Sequence, residues 1–201
     1  MPISSKQRFF RSALGALITI LALAMVSSAQ ETATAEQNVN TSVQPIKIKN
    51  FGQMDGRFYR GAQPGVKDYK DLAALGINTV IDLRDDPQQT EKSLVESVGM
   101  KYVHIPMVAK KYPTPEVTEA FLKTVNDPAT GKFFVHCAGG RHRTGVVGAV
   151  YRFTRNNWSY DQVMAEMNEY EFGSGMGHGK QKDFVKDYWK EFQTKQVAVR
   201  Q

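Results

Sequence analysis

Short β-branched segments alternate with helix-like segments from about residue 44 onward, and this alternation constrains the fold more than any other feature. Thr79–Leu83, Tyr102–Ile105 and Lys132–His136 have the apolar, β-branched composition of short buried strands. Strands that alternate with helices predict a single α/β domain with a mostly parallel central sheet flanked by helices. The other predicted elements are a strand at Ile46–Lys49 and helices at Val66–Leu75, Pro87–Val98, Pro115–Val125, Thr144–Arg155, Ser159–Tyr170 and Lys180–Gln193.

The first 29 residues have the features of a secretory signal peptide. A short basic stretch precedes an apolar stretch at residues 13–26, and small residues occupy the −3 and −1 positions of a cut after Ala29. The apolar stretch is shorter than the roughly 20 residues of a membrane span, and an uncleaved N-terminal anchor is the alternative. We therefore expect a signal peptide (1–29), a flexible polar linker (30–44) and one domain (45–198), exported to the periplasm or secreted, with no stable membrane span after cleavage.

Charge and residue counts exclude several classes of function. The chain has 26 Lys and Arg against 20 Asp and Glu. Because residues 1–29 hold three basic and no acidic side chains, the mature chain keeps 23 against 20, with no basic run, which argues against nucleic acid as a partner. A single cysteine excludes an intramolecular disulfide and a multi-thiolate zinc site. Four scattered histidines indicate no metal site, and no cofactor is predicted.

That single cysteine, Cys137, lies where the third predicted strand ends and a helix begins. The sequence there, from residue 136 to residue 145, is HCAGGRHRTG. Gly139 and Gly140 allow a tight turn with positive φ, and successive N–H groups beside a helix N-terminus bind anions. Arg143 adds a planar guanidinium suited to two-pronged phosphate binding. The same positive surroundings predict a lowered pKa for the thiol and hence a thiolate nucleophile.

Each residue of this segment has a predicted role. Cys137 is the nucleophile, and the Thr144 hydroxyl donates to the sulfur and helps the thiolate leave in a second step. His136 is predicted to orient the loop from the strand side. The residues predicted to bind phosphate are Ala138, Gly139, Gly140, Arg141, His142 and Arg143. The glycine-rich segment around His178 is interpreted as a connection between two late helices.

The segment resembles the His-Cys-x5-Arg-Thr/Ser signature of the cysteine-dependent protein tyrosine phosphatase superfamily. FYRGAQP (58–64) and TVIDLR (79–84) resemble its compact dual-specificity-like members, and the likeness extends over residues 46–195. The resemblance implies the protein tyrosine phosphatase-like fold, with a strand, a phosphate-binding loop and a helix forming the active site. It also implies hydrolysis of phosphate monoesters, phosphotyrosine foremost, through a cysteinyl-phosphate intermediate and without a cofactor.

The sequence departs from the superfamily at the general acid. Members carry an Asp some 30 or more residues before the cysteine, but residues 87–126 contain no Asp. The candidates that remain are Glu116, at a helix start, and Asp85 and Asp86, after the first buried strand. A general acid contributes about 10²–10⁴-fold and matters most for basic leaving groups. Its absence favours aryl phosphates and phosphoanhydrides over phosphoserine.

Two alternatives to a protein phosphatase stay open at this point. GRHRTG (140–145) resembles the loop of plant and fungal atypical dual-specificity phosphatases, a group associated with inositol pyrophosphates, and the cations of Lys110, Lys111, Arg141 and His142 suit a polyanionic substrate. The missing Asp also allows a pseudo-phosphatase that binds phosphate without turnover. The expected partner is therefore a phosphorylated protein or an inositol phosphate, and we expect the protein to be a monomer.

Overall fold

The computed structural model describes residues 46–173 and 175–199, which form strands and helices in alternation. The predicted signal peptide and linker lie outside the described residues. The strands are β1 (Gly52–Gln53), β2 (Phe58–Ala62), β3 (Thr79–Arg84), β4 (Lys101–Met107) and β5 (Phe133–Cys137). The helices are α1 (Asp68–Ala74), α2 (Glu91–Ser97), α3 (Pro115–Asn126), α4 (His142–Asn156), α5 (Tyr160–Glu169) and α6 (Gly179–Val199). None of the helices in the described ranges combines the length and the apolar character needed to cross a bilayer.

The sheet has the strand order β1-β2-β5-β3-β4. The strand β1 pairs with β2 in the antiparallel sense, and the other three pairings are parallel. The predicted α/β fold with a mostly parallel sheet is therefore confirmed. Because parallel strands end at the same edge, the carboxyl ends of β2, β3, β4 and β5 meet there, and the edge beyond such strand ends is where α/β sheets bind ligands.

Helices cover both faces of the sheet, and β5 sends alternate side chains to each. Phe133, Val135 and Cys137 face the layer built from α3, α4, α5 and α6, whereas Phe134 packs on the opposite side with α1 and α2. His136 follows the same alternation and faces α2, where Glu91 contacts it. All five residues of β5 are buried. The central strand therefore holds Cys137 and its neighbour His136 in opposite layers.

One expectation about the early chain is wrong. Ile46–Lys49 is not a strand, because the segment has no regular pairing with a neighbouring strand. The side chain of Ile48 nevertheless packs into the core. The first central strand is instead β2, which the sequence pattern did not indicate. A glycine and an arginine occupy its middle positions, yet all five of its residues are buried.

Candidate active site

The loop between β5 and α4 is held from outside by its backbone carbonyls. Three consecutive carbonyls accept hydrogen bonds from side-chain or backbone groups of the segment 50–63. These bonds join Gln63 N to Ala138 O (3.4 Å), Asn50 Nδ2 to Gly139 O (2.8 Å) and Arg60 Nη2 to Gly140 O (2.7 Å). With these carbonyls directed outward, the loop presents N–H groups to the inside, as anion-binding loops do.

Arg60 supports this loop from the interior of the protein. Its side chain is 1% exposed and its guanidinium lies 3.9 Å from the centre of the Tyr170 ring. Burial lowers the pKa of Arg60 to about 10, so the group still carries its charge at neutral pH. A buried cation is costly unless it is well partnered. The Gly140 carbonyl and the Tyr170 ring are those partners, and they explain an arginine in a central strand.

The turn at Gly140 leaves no room for a side chain. Its φ is +65°, and a Cβ placed there would lie 2.4 Å from the Gly61 carbonyl carbon and 2.5 Å from the Ala62 nitrogen. Both contacts are with the backbone of β2, which cannot rotate away as a side chain can. The close approach of loop and strand therefore requires glycine at this position.

We accordingly expect Gly140→Ala to lower kcat/KM for aryl phosphates by about 10²-fold or more, since displacements near 1 Å cost that much in an oriented site. Gly99→Ala is the matched control, because Gly99 also has positive φ (+81°) but nothing within 4 Å of its Cβ position. That control should lose stability and retain activity, as measured by thermal unfolding and steady-state kinetics. Equal activity losses in both variants would contradict the steric argument.

The Cys137 thiol is buried and yet favoured as a thiolate. Burial raises its pKa, but three hydrogen-bond donors and one cation act in the opposite direction. The donors are the Thr144 hydroxyl and the N–H groups of Thr144 and Gly139, and the cation is Arg143. Together they hold the pKa of the thiol below its ordinary value. The side chain is 4% exposed and ends at the floor of a cavity.

That cavity has a volume of about 140 Å³ and joins three parts of the chain. The loop after β5 forms one wall, and the loop after β4 contributes Ala109 and Lys110. His178, directly before α6, and Gln181, in the first turn of α6, also line the cavity. The predicted site residues on its wall are Cys137, Ala138, Gly139, Arg141, His142 and Arg143. The segment around His178, predicted to be only a connection, therefore reaches the site.

The contribution from α6 has no counterpart in the sequence prediction. The His178 ring stacks on the His142 ring with centroids 3.3 Å apart, and its Nδ1 lies 3.1 Å from Gln181 Oε1. Gln181 is fully buried, and its Nε2 makes no hydrogen bond to any of the residues that the structure describes. These residues come from some 40 positions beyond Cys137, and only the packing of α6 on α4 brings them to the cavity.

Arg143 lies in the first turn of α4 and is paired with a carboxylate. Its Nη1 is 2.5 Å from Asp85 Oδ1 and 3.3 Å from the Met107 carbonyl. Asp85 follows β3 directly, and its other oxygen accepts a hydrogen bond from Ala109 N at 3.2 Å. The predicted phosphate-binding guanidinium is thus held between the ends of β3 and β4.

The structure places neither Glu116 nor Asp86 on the cavity wall. Glu116 is exposed in the first turn of α3, and a hydrogen bond with Thr114 lowers its pKa. Asp86 points to solvent and binds Arg84 through both oxygens, at 3.2 and 3.0 Å. This pairing lowers the pKa of Asp86 and favours the form that has no proton to give. Neither contact directs a carboxyl group toward Cys137.

His136 lies behind Cys137 in a buried polar cluster. Its Nε2 is 2.8 Å from Glu91 Oε1, and Asp82 Oδ1 is 3.8 Å away. Tyr69 and Tyr102 donate their hydroxyls to Glu91 and Asp82, each at 2.9 Å. Three side chains with metal-binding atoms are close together here, but these hydrogen bonds account for their arrangement, and the expectation of no metal site stays a prediction.

A family described as DSP-PTPase phosphatase fused to NAD+ kinase matches residues 29–187 of the chain. The chain belongs to this family. The cysteine-dependent phosphatase class predicted from the HCAGGRHRTG segment is thereby confirmed. The roles predicted for Cys137, Arg143 and the loop between them stay predictions.

The curated relatives of the chain include proteins named as tyrosine-protein phosphatases and as dual specificity protein phosphatases. DG1060 of Dictyostelium discoideum, named as a tyrosine-protein phosphatase, is 29% identical over 127 residues, which cover 60% of this chain and 75% of that protein. Two further curated relatives are OCA1 of Yarrowia lipolytica and TpbA of Pseudomonas aeruginosa. The chain matches 63% of the length of OCA1 and 56% of the length of TpbA.

Solved structures share the fold of the DSP-PTPase domain. The core catalytic domain of the PP-IP phosphatase SIW14 from Saccharomyces cerevisiae superposes with a TM-score of 0.62 at 22% identity, covering 76% of this chain and 93% of that one. TpbA from Pseudomonas aeruginosa, in complex with pTyr, superposes with a TM-score of 0.58 at 22% identity, covering 68% and 82%.

Proposed function

We propose that this protein hydrolyses phosphate monoesters, phosphotyrosine foremost, through a phosphorylated Cys137. The observation that carries the proposal is the buried thiol of lowered pKa at the floor of a cavity whose rim bears Arg143. A thiolate there meets a phosphoryl group whose oxygens the loop N–H groups and the guanidinium can bind. The pTyr complex of the TpbA structure supports an aryl phosphate as substrate.

The first chemical step transfers the phosphoryl group to sulfur. The Cys137 thiolate attacks phosphorus in line, the S–P bond forms, and the bond from phosphorus to the leaving oxygen breaks. Arg143 and the loop N–H groups stabilise the charge on the three equatorial oxygens, which is the largest contribution a protein makes to phosphoryl transfer. The leaving oxygen takes up a proton and departs as a phenol.

The second step releases phosphate. Water attacks the phosphorus, the S–P bond breaks, and Cys137 leaves as a thiolate. The Thr144 hydroxyl, which donates to the sulfur, stabilises the departing negative charge. His136 and Glu91 lie behind the sulfur and keep β5 in place, since both are fully buried and joined by a 2.8 Å contact. The enzyme returns to its starting state without a cofactor.

A substrate panel tests the proposal on the full chain. Phosphotyrosine peptide, phosphoserine peptide and an inositol pyrophosphate are compared by release of inorganic phosphate, and acid quenching with ³²P-labelled substrate traps the intermediate. We expect the phosphotyrosine peptide to outpace the phosphoserine peptide and the label to map to Cys137. Phosphate binding without any turnover would instead establish a pseudo-phosphatase.

A second candidate substrate class is the polyphosphorylated small molecule. The cavity rim carries Lys110, Arg141 and two stacked histidines. Together these side chains offer more nitrogen donors than the binding of one phosphate group needs. The fold neighbour SIW14 is named a PP-IP phosphatase, which supports the same class. Arg141 is partly neutralised, because Glu171 Oε2 lies 3.7 Å from its Nη1 and 3.2 Å from Lys49 Nζ.

Glu171→Gln should therefore favour polyanions. Removing this carboxylate is expected to raise kcat/KM for an inositol pyrophosphate about two- to five-fold, the value of a surface ion pair. The gain should be smaller for a phosphotyrosine peptide and fade at high salt. Glu169→Gln, which removes an exposed carboxylate from the last residue of α5, two positions before Glu171, is the matched control. The same gain in both variants would show a net-charge effect and contradict a role for Arg141.

Export and a monomeric state complete the proposal. Export is supported by the basic and apolar stretches of residues 1–29, and N-terminal sequencing of the protein recovered from cell fractions tests cleavage after Ala29. Light scattering of the purified chain tests the monomeric state.

A further inference from the structure

The second chemical step needs a group that takes a proton from the attacking water. Among the residues that the structure describes, no Asp or Glu lines the cavity. The ionisable side chains on its wall are those of Lys110, Cys137, Arg141, His142, Arg143 and His178. Lysine and arginine hold their protons at neutral pH, and in this step the cysteine sulfur is bonded to phosphorus. An imidazole is then the group whose lone pair can accept the proton.

His178 is one of the two imidazoles on this wall, and one of its nitrogens already has a partner. Its Nδ1 lies 3.1 Å from Oε1 of Gln181. Because an amide oxygen only accepts hydrogen bonds, Nδ1 carries the hydrogen of the neutral ring. The lone pair of the ring is then on Nε2. Gln181 therefore holds His178 in the tautomer that is a base at Nε2.

The fold fixes His178 on the cavity wall through its backbone and its ring. Its carbonyl accepts the Gln181 N–H at 3.1 Å, which attaches the residue to the first turn of α6. A Cβ placed at Gly177 would lie 3.1 Å from Lys110 Cδ, so the preceding residue packs closely against the loop after β4. The ring itself stacks on His142, with the two planes 5° apart. These contacts hold the imidazole in one position before substrate binds.

The stacked partner, His142, is less able to exchange a proton with solvent. It is 8% exposed, and it lies between the His178 ring and the Phe172 ring, whose centre is 5.7 Å away. His178 is only half-buried, and it also lines a second cavity of about 260 Å³ beside the glycine-rich segment. A proton taken up by His178 can therefore pass to solvent.

We propose that His178 is the base that takes the proton from the attacking water, an inference that rests on the proposed phosphatase function. The water oxygen bonds to phosphorus, and its proton passes to Nε2 of His178. The S–P bond breaks, and its electron pair stays on the sulfur of Cys137. The imidazolium then gives its proton to solvent, and phosphate leaves. Gln181 is a positioning residue, because it acts through the imidazole.

Several charged or titratable groups face His178, so the pH profile needs variants to be assigned. They are Lys110 from the loop after β4, Arg141 and the phosphoryl group on Cys137 from the phosphate loop, His142 and Arg143 from α4, and Lys182 from α6. Imidazoles ordinarily change charge between about pH 5 and 8. The two stacked rings therefore each need a variant of their own.

Separate measurement of the two steps tests the proposal on the full-length chain. With ³²P-labelled p-nitrophenyl phosphate, the burst of p-nitrophenol measures formation of the cysteinyl phosphate, and loss of label from Cys137 measures its hydrolysis. We expect His178→Gln to slow hydrolysis about 10²-fold and to leave formation unchanged. The matched control is His104→Gln, which removes an exposed imidazole whose Nε2 contacts the Arg84 carbonyl. It should match the wild type in both steps.

Two further variants separate a base from a merely structural residue. Gln181→Glu keeps the imidazole and places a carboxylate at Nδ1, which favours the imidazolium. The acid limb of the pH dependence of hydrolysis should therefore move to higher pH in this variant, and it should be absent in His178→Gln. Added imidazole should restore part of the rate of hydrolysis in His178→Ala, where the space of the ring is empty.

Four results would overturn the inference and leave the proposed function standing. Equal slowing of both steps in His178→Gln would show that the residue only shapes the cavity, and hydrolysis at the wild-type rate would show that it has no role. An acid limb that does not move in Gln181→Glu would contradict a base at Nε2. Loss of the acid limb in His142→Gln, with the limb kept in His178→Gln, would assign the base to the stacked partner.

Failure of the proposed function gives a different result. The wild type would then form no labelled Cys137 and would turn over no ester, and this inference would fall with the proposed function. Thermal unfolding and vanadate binding establish that each variant is folded.

Discussion

Replacement of Cys137 by serine is expected to lower kcat for p-nitrophenyl phosphate by at least about 10⁴-fold, in line with the loss of a nucleophile in other covalent enzymes. A serine hydroxyl at this position fits the space of the thiol but does not ionise near neutral pH. The donors that lower the pKa of the thiol, from Thr144 and Gly139, remain in place. Phosphate should therefore still bind, because the loop N–H groups and Arg143 are unchanged.

Binding and chemistry can be separated in this variant. Calorimetric titration with inorganic phosphate measures the loop, and p-nitrophenol release measures turnover. Because Cys137 is the single cysteine of the chain, iodoacetate labelling of the wild type reports on it alone. The lowered pKa predicts labelling at pH values where a free cysteine is protonated. Turnover by Cys137→Ser within tenfold of the wild type would contradict its assignment as the nucleophile.

Local sequence pattern was sufficient to predict β3, β4 and β5 and a mostly parallel sheet, but it did not predict the strand β2. The β-branched segments that became β3, β4 and β5 are buried among helices, and such strands are apolar throughout. The strand β2 carries Arg60 and Gly61 in its middle instead. Arg60 is there to bind the Gly140 carbonyl, 80 residues away, and no local pattern reports a partner at that distance.

The same distinction applies to the active site. Cys137, Arg143 and the loop between them are contiguous in sequence. One segment was therefore enough to predict a thiolate nucleophile beside a phosphate-binding loop. Asp85 and His178 come from separate parts of the chain and meet that segment only through strand pairing and helix packing. Asp85 and Asp86 are adjacent residues of the same type, so the sequence does not distinguish them. In the structure their side chains have different partners: Asp85 pairs with Arg143, and Asp86 pairs with Arg84.

A connected set of hydrogen bonds links the phosphate loop to the layer beneath it. Gln63 donates its backbone N–H to Ala138 O, its Nε2 contacts the Tyr69 hydroxyl at 3.2 Å, and its Oε1 accepts from Arg84 at 2.9 Å. Tyr69 in turn donates to Glu91, the partner of His136. The carbonyl side of the loop is thus fixed before substrate arrives, and such preorganisation is what makes N–H groups effective toward developing charge.

Arg143→Lys is expected to lower kcat/KM for aryl phosphates by about 10³–10⁵-fold, the range in which a single arginine assists phosphoryl transfer. Lysine keeps the charge but offers a point donor in place of a planar fork, so it cannot bind two phosphoryl oxygens at once. The substitution also disturbs the contact with Asp85 and weakens a cation that favours the Cys137 thiolate. Binding and nucleophile activation should therefore fail together.

The matched control is Arg155→Lys, at the exposed last turn of the same helix, which should retain wild-type kinetics. Steady-state rates and the pH dependence of iodoacetate labelling are measured for both variants, and labelling of Arg143→Lys should shift to higher pH because a favourable charge has been displaced. Retention of more than a tenth of the wild-type kcat/KM by Arg143→Lys would mean that charge alone suffices. The planar fork of the guanidinium would then have no part in stabilising the transition state beyond its positive charge.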